Sequence, residues 1–441
     1  MQVSIAVFLA VGLTVLAGPL AQERRGGEWP AWRGPLANGA APRGDPPVSW
    51  SEGQNVRWKT ALPGKGHSTP IVWGDRVYLT AAVPYGEILP GGDTDADGAH
   101  DNVPAAQRMH FVVLAIDRAS GTIAWQRTVR SERPHDSTHE TGSWASASPV
   151  TDGERVYAFF GSAGLYGLDL QGRVLWEKDF GDMHPLHGHG EGSSPALDGH
   201  TLVVNWDQEG ESFVVALDSR TGEQLWKVAR DEGTSWSTPL VVEHEGRKQV
   251  VISATKRIRS YDLRTGELLW ACGGLSHNVV ASPVAAGGLV YAGSSYETRA
   301  LLAIRLAGAR GDVTGSPAVA WTRDRDTPYV PSPVVDGTAL CFVKHIQGFL
   351  TCVDAASGGT LVGPERLEGL DMVFASPVVA AGRIYVAGRN GSTVVLRRGE
   401  RLEVLARNVL DDAFSASPAI AGDELYLRGE RFLYCLAKAS G

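Results

Sequence analysis

Twelve histidines occur in 441 residues, and six fall in three short stretches: His135 and His139, then His184, His187 and His189, then His277. Glu140, Trp144, Glu191, Trp236 and Asn278 lie beside them or in equivalent places. Three chemistries are open to such a set. Neutral imidazoles with a carboxylate can hold Zn, Cu or Fe, and His184, His187, His189 and Glu191 are the group that would do so. Their spacing matches no standard metal signature. Trp144 and Trp236 could instead be stacking faces for an organic ligand, with the imidazoles, Glu140, Glu191 and Asn278 as polar contacts. The third reading is a polar loop surface whose histidines serve turns and backbone bonds.

A second candidate is Asp93-Thr94-Asp95-Ala96-Asp97-Gly98, the first half of a calcium loop, with Asp101 at the ninth position. Alternate carboxylates converge on a hard cation and the glycine makes the sharp turn. Pro104 stands at the twelfth position, where a bidentate Glu belongs, and no helical pattern flanks the stretch. A solvated acidic loop is the alternative.

The elements that must position these residues follow from a repeat. A Ser/Thr-Pro pair recurs eight times, at Thr69, Ser148, Ser194, Thr238, Ser282, Ser332, Ser376 and Ser417. After a first step of 79 residues the steps are 46, 44, 44, 50, 44 and 41. A period near 44 is that of a propeller blade. Within each unit, apolar residues alternate with period two and Gly-centred turns separate the runs, so the runs are strands joined as hairpins. Pro is tolerated at a strand's first residue because it lacks an N–H. Asp-x-x-Thr-Gly turns, best at Asp218–Gly222 and Asp262–Gly266, precede a strand that ends in Trp: Trp125, Trp176, Trp226, Trp270 and, in a looser unit, Trp321. A large flat residue at a fixed repeat position packs blade on blade.

The expectation is an all-β, eight-bladed β-propeller of four-stranded antiparallel blades. The last unit has no outer strand or Trp of its own. Val56-Arg57-Trp58-Lys59 looks like that strand, so an N-terminal strand added to the last blade closes the ring. Residues 1–21 read as a signal peptide, 22–50 as an extended lead-in and 51–441 as the propeller, with an insertion of about 84–109 in the first blade. In a propeller, the loops that lead into the innermost strands border one channel mouth. The histidine stretches are three of those loops.

The Ser-Pro, Leu-Asp-x-x-Thr-Gly and terminal-Trp pattern resembles the pyrroloquinoline quinone (PQQ) repeat. Trp29-Pro30-Ala31-Trp32-Arg33-Gly34-Pro35, Ser137-Thr138-His139 and Phe159-Phe160-Gly161-Ser162 are similar to stretches of exported PQQ-binding-like bacterial propellers. The resemblance runs from about residue 28 to the C-terminus. It implies one of three things: a quinoprotein dehydrogenase using PQQ and Ca, the scaffold lipoprotein of β-barrel assembly, or an uncharacterised exported propeller. The dehydrogenases carry adjacent cysteines over the quinone, and Cys272, Cys341, Cys352 and Cys435 include no such pair. The lipoprotein needs a lipidated N-terminal Cys, and none follows the apolar stretch.

A net charge of −8 without a basic run excludes nucleic acid as a partner. Cys341 and Cys352 flank a hairpin and are either a disulfide or two buried thiols. The expected protein is a periplasmic or secreted monomer without a membrane span. It is read as a binding or scaffold propeller with no established catalysis, taking a small molecule at the channel mouth or a protein partner. The rivals are a PQQ-dependent dehydrogenase of alcohols or sugars, with Glu140 or Glu191 as base, and a structural partner in envelope assembly.

Overall fold

The computed structural model describes residues 27–296 and 298–439. The expected signal peptide and residues 22–26 of the lead-in lie outside them. Among the described residues, seven four-stranded sheets and one five-stranded sheet form eight blades, antiparallel through their first four strands and ordered from inner to outer strand. Blade 3 is representative: Ala196–Asp198, Thr201–Trp206, Ser212–Asp218 and Gln224–Arg230 follow one another outward. Blade 4 is the five-stranded one, with Gly311–Asp312 added parallel to Leu268–Cys272. No helix among the described residues is long and apolar enough to cross a membrane.

Closure is as expected. Val56–Ala61 pairs antiparallel with Phe432–Leu436 and is the outer strand of blade 8. It also supplies that blade's tryptophan. Trp125, Trp176, Trp226 and Trp321 donate their indole N–H to Leu170, Ser219, Leu263 and Ala355 carbonyls at 2.9–3.0 Å. Each acceptor directly follows the Asp of the next blade's turn. The glycine of that turn lies against the indole: a Cβ on Gly222 would sit 2.7 Å from Trp176, and its φ is +73°. Thr-Gly is therefore a docking surface as well as a turn. Trp270 departs and donates to Gln249 Oε1, because the next blade has no Asp-x-x-Thr-Gly turn to receive it.

The Ser/Thr before each Pro has a further role. The backbone N–H of Thr69 donates to Ser148 Oγ, that of Ser148 to Ser194 Oγ, and so on through Thr238, Ser282, Ser332, Ser376 and Ser417, all at 2.8–3.0 Å. Thr69 Oγ1 completes the circle by donating to the Ser417 carbonyl at 3.1 Å. Hydroxyls satisfy the buried N–H groups where seven of the eight inner strands begin, and the ring encircles the channel.

Residues 29–41 do more than lead in. Trp29 exchanges backbone hydrogen bonds with Val72 and Pro30 accepts from Thr151, in blades 1 and 2. Farther along, Asn38 accepts from Val335, Gly39 accepts from Val379 and Ala41 donates to it, in blades 6 and 7. The segment thus crosses the channel as a strap on the free edges of opposite inner strands. Arg33, buried at its centre, donates to the Pro333 and Pro377 carbonyls at 2.7 and 3.1 Å.

Cys341 and Cys352 stand opposite each other in register and are joined by a disulfide. Cys272 and Cys435 are buried thiols.

Candidate functional site

With the strap across its lower end, the channel is a cup open at the other mouth. Trp32 is its floor, with the indole N–H donating to Ser417 Oγ at 3.3 Å. The cup holds about 390 Å³, within the range of small-molecule sites. Ser148, Ser194, Thr238, Ser332, Ser376 and Ser417 of the hydroxyl ring line it. As acceptors of backbone N–H groups they keep their own O–H for other partners. Trp236, Tyr296, Tyr329 and Phe374 supply aromatic surface.

The histidines stand at the rim. The insertion of blade 1 leaves the strand Arg76–Tyr85, folds over the mouth and returns into Arg108–Asp117. On the way, Asn102–Val103 pairs with Thr138–His139. Asn102 Nδ2 then donates to the His187 and Gly188 carbonyls at 3.0 and 2.7 Å, tying the insertion to the loop before blade 3. His139 N–H donates to the His189 carbonyl at 3.3 Å. These bonds bring one ring nitrogen each from His100, His139 and His189 to within 4.8 Å of one another. His187 lies beside them, its ring centre 5.3 Å from that of His189.

Burial disfavours the imidazolium at this rim. It lowers His139 from the ordinary histidine range. It takes His189 down to about 4, helped by the neighbouring imidazoles. His67, also in the cup, falls well below the usual range through burial and through Lys65, Arg428 and Arg389.

Glu191 stands between this cup and a second cavity of about 320 Å³, which His135 and Trp144 also line. Its carboxylate accepts from Ser162 N–H at 2.6 Å and Ser162 Oγ at 2.5 Å. Burial pushes the group up to about 7 against those two bonds. Gly161 makes the arrangement possible: its φ is +58°, and a Cβ there would lie 1.1 Å from Glu191 Oε2.

The sequence-selected residues thus divide. His139, His187, His189, Glu191, Trp236 and Asn278 meet in the cup. His135 and Trp144 line the side cavity, where His135 Nε2 lies 2.8 Å from the Met183 carbonyl and Trp144 Nε1 donates to Asp136 O at 3.0 Å. His184 is exposed beside His135, so His184, His187, His189 and Glu191 do not form one ligand set. Glu140 and His277 are exposed and line neither cavity. Asp93, Asp95, Asp97 and Asp101 do not converge: among the described residues the one group of converging ligand atoms is the histidine trio. The segment spends its polar groups on crossing the mouth. Asp97 O lies 2.9 Å from His187 Nδ1, and Asp101 O accepts from Glu140 N–H.

His100, His67 and Asn102 were not singled out from sequence. His100 carried one signal, its place just after Asp97-Gly98 in an insertion whose length had to go somewhere.

The family model described as outer membrane protein assembly factor BamB matches residues 45–185 and 210–441. The chain belongs to this family. Its fold is also that of BamB from Moraxella catarrhalis, with TM-score 0.54, 16% identity, and coverage of 82% of this chain and 99% of that one. The quinohemoprotein alcohol dehydrogenase of Comamonas testosteroni superposes with TM-score 0.64 at 12% identity, covering 96% of this chain and 82% of that one. Methanol dehydrogenase [cytochrome c] subunit 1 of Methylorubrum extorquens is 26% identical over 125 residues, which is 24% of this chain and 19% of the relative. The chain therefore matches about a fifth of the length of that curated relative. The assembly factor and the alcohol dehydrogenase both share the fold of this chain.

PQQ does not fit the residues present. It is a planar tricarboxylate, and no Lys or Arg lines the cup among the described residues. Among the described residues Glu191 is the one carboxylate that lines the cup, and Ser162 already holds it.

Proposed function

We propose that this BamB-family propeller is a small-molecule-binding protein of the periplasm or cell exterior, holding its ligand in the cup between Trp32 and the histidine rim. One observation carries the reading: the strap turns an open channel into a closed-bottomed cavity of about 390 Å³ with hydroxyl, imidazole and aromatic walls. Hydroxyl donors, with no Lys or Arg among the described lining residues, suit a neutral or singly charged ligand bearing aromatic or hydroxyl groups. Export is supported by the apolar N-terminal stretch and by the Cys341–Cys352 disulfide, which an oxidising compartment preserves. Monomeric behaviour is expected, with no catalytic step assigned.

Thermal-shift screening of the mature protein against aromatic and polyhydroxylated compounds tests the reading, with Trp236→Ala as the control chain. Hits that stabilise the wild type and lose their effect in the variant support it. Hits indifferent to Trp236, or stabilisation by PQQ with calcium, contradict it. Scaffolding by the outer faces would require a contiguous apolar patch. Ile123, Leu175, Leu225, Leu268 and Leu361 are exposed on the fourth strands of five different blades, and Val404 and Val409 share the fourth strand of blade 7.

A further inference from the structure

We propose that His100, His139 and His189 form a mononuclear site for a divalent first-row transition ion of the zinc or copper class, with an open coordination position facing the cup. The inference rests on the mouth being a binding site and names what the rim binds.

Three observations carry it. First, the three nitrogens lie within 4.8 Å of one another. Metal–nitrogen bonds of about 2.0–2.1 Å in a tetrahedral site put ligand nitrogens about 3.3–3.4 Å apart. Modest side-chain rotation closes that difference, and His100, with 58% of its side chain exposed, is free to make it.

Second, each imidazole has one ring nitrogen beside an oxygen, and in His100 and His189 that oxygen can accept a ring N–H as it does in metal-bound histidines. His100 Nδ1 is 3.2 Å from Asp101 Oδ2, His139 Nδ1 is 2.7 Å from Thr141 Oγ1, and His189 Nε2 is 3.3 Å from the His100 carbonyl. In His100 and His189 a ring N–H donated to that oxygen leaves the opposite nitrogen as a lone pair, whereas His139 Nδ1 accepts the Thr141 N–H at 3.1 Å and must release it before the other ring nitrogen can offer one.

Third, the trio comes from three segments that the fold works to join. The insertion, the loop before blade 2 and the loop before blade 3 are held by the Asn102–Val103 pairing and by the two Asn102 hydrogen bonds. His187, with Nδ1 at 2.9 Å from the Asp97 carbonyl, is a positioning residue for the same junction. A turn-serving histidine needs no such convergence.

Three nitrogen ligands and one open position are the pattern of sites that bind or activate a ligand, whereas structural zinc sites are closed by four protein ligands. All three histidines line the cup. A hydroxyl, phenolate or carboxylate oxygen of the cup's ligand could take the free position.

The test uses tag-free mature protein, stripped with chelator and titrated with Zn²⁺, Cu²⁺ and Co²⁺ salts. The expected result is one equivalent bound, a visible Co²⁺ absorption band, and X-ray absorption showing about three imidazole nitrogens. His100→Gln, His139→Gln and His189→Gln should each weaken binding at least about tenfold. His184→Gln and His277→Gln should leave it unchanged. No stoichiometric binding at micromolar metal overturns the proposal, as does binding that persists in all three variants. The absorption spectrum of the wild type decides the matter even if a variant folds poorly. Metal binding without any organic ligand would leave this site standing and remove the small-molecule reading; the converse would do the opposite.

Discussion

Trp58 donates its indole N–H to the carbonyl of Arg118 at 2.9 Å, and its ring lies against Gly121 of the same turn. An N-terminal residue thereby performs for blade 8 what Trp125, Trp176, Trp226 and Trp321 perform for their own blades. The contact joins the last blade to the first, so it stands at the seam of the ring. Trp58→Ala should cost about 3–5 kcal/mol, as for other buried tryptophans. Chemical denaturation measures this. A loss below about 1 kcal/mol would mean that the strand pairing alone closes the ring.

Ser194 illustrates the hydroxyl circle. Its Oγ accepts the buried N–H of Ser148 at 2.9 Å. Ser194→Ala leaves that donor unpaired and should destabilise by about 1–3 kcal/mol. Ser194→Thr should be close to neutral, because Thr238 already fills the equivalent place. Urea midpoints of the two variants make the comparison.

Gly161 and Gly74 have nearly the same φ, +58° and +57°, and differ in what surrounds them. A Cβ at Gly74 meets nothing within 4 Å, whereas one at Gly161 meets the Glu191 carboxylate. Gly74→Ala should cost only the backbone strain, about 1–2 kcal/mol. Gly161→Ala should cost clearly more and displace Glu191 from Ser162. Equal losses in the two variants would show that Glu191 moves freely.

His67 gives the protein an acid sensitivity of known sign. Burial and the cations Lys65, Arg428 and Arg389 depress its folded value, and its Nε2 has no partner. Below about pH 6.5 the unfolded chain binds the proton more readily than the folded one. Its contribution is therefore complete above that pH and is lost as the pH falls toward the folded value, at up to about 1.4 kcal/mol per pH unit. Stability measured from pH 7 to pH 5 should fall less steeply in His67→Gln than in the wild type. Parallel slopes would mean that His67 takes up its proton as readily in the folded chain as in the unfolded one.

What could be read from sequence was whatever the repeat encodes. Blade number, strand order and the orphan Trp58 all follow from a periodic pattern, because the same physical demand recurs about every 44 residues. Trp270 and Trp321 exchanged their expected standing: Trp321 docks in the regular way and Trp270 does not, since docking depends on the next blade's turn. The strap was invisible for a physical reason. Arg33 is held by carbonyls 300 and 344 residues away, and backbone acceptors leave no mark on residue type. His100 was hidden similarly. It reads as part of an acidic stretch until Asn102 is seen tying that stretch to the loop of His187 and His189.

The account's central claim is that the cup is where this protein binds its ligand. The most direct measurement is a crystal structure of the mature protein with the strongest screening hit. The predicted result is difference density above Trp32, bounded by Trp236 and by the hydroxyls of Ser194 and Ser376, with the strap still in place. A hit bound on the outer strands, or an intact but empty cup at saturating ligand, would contradict the claim.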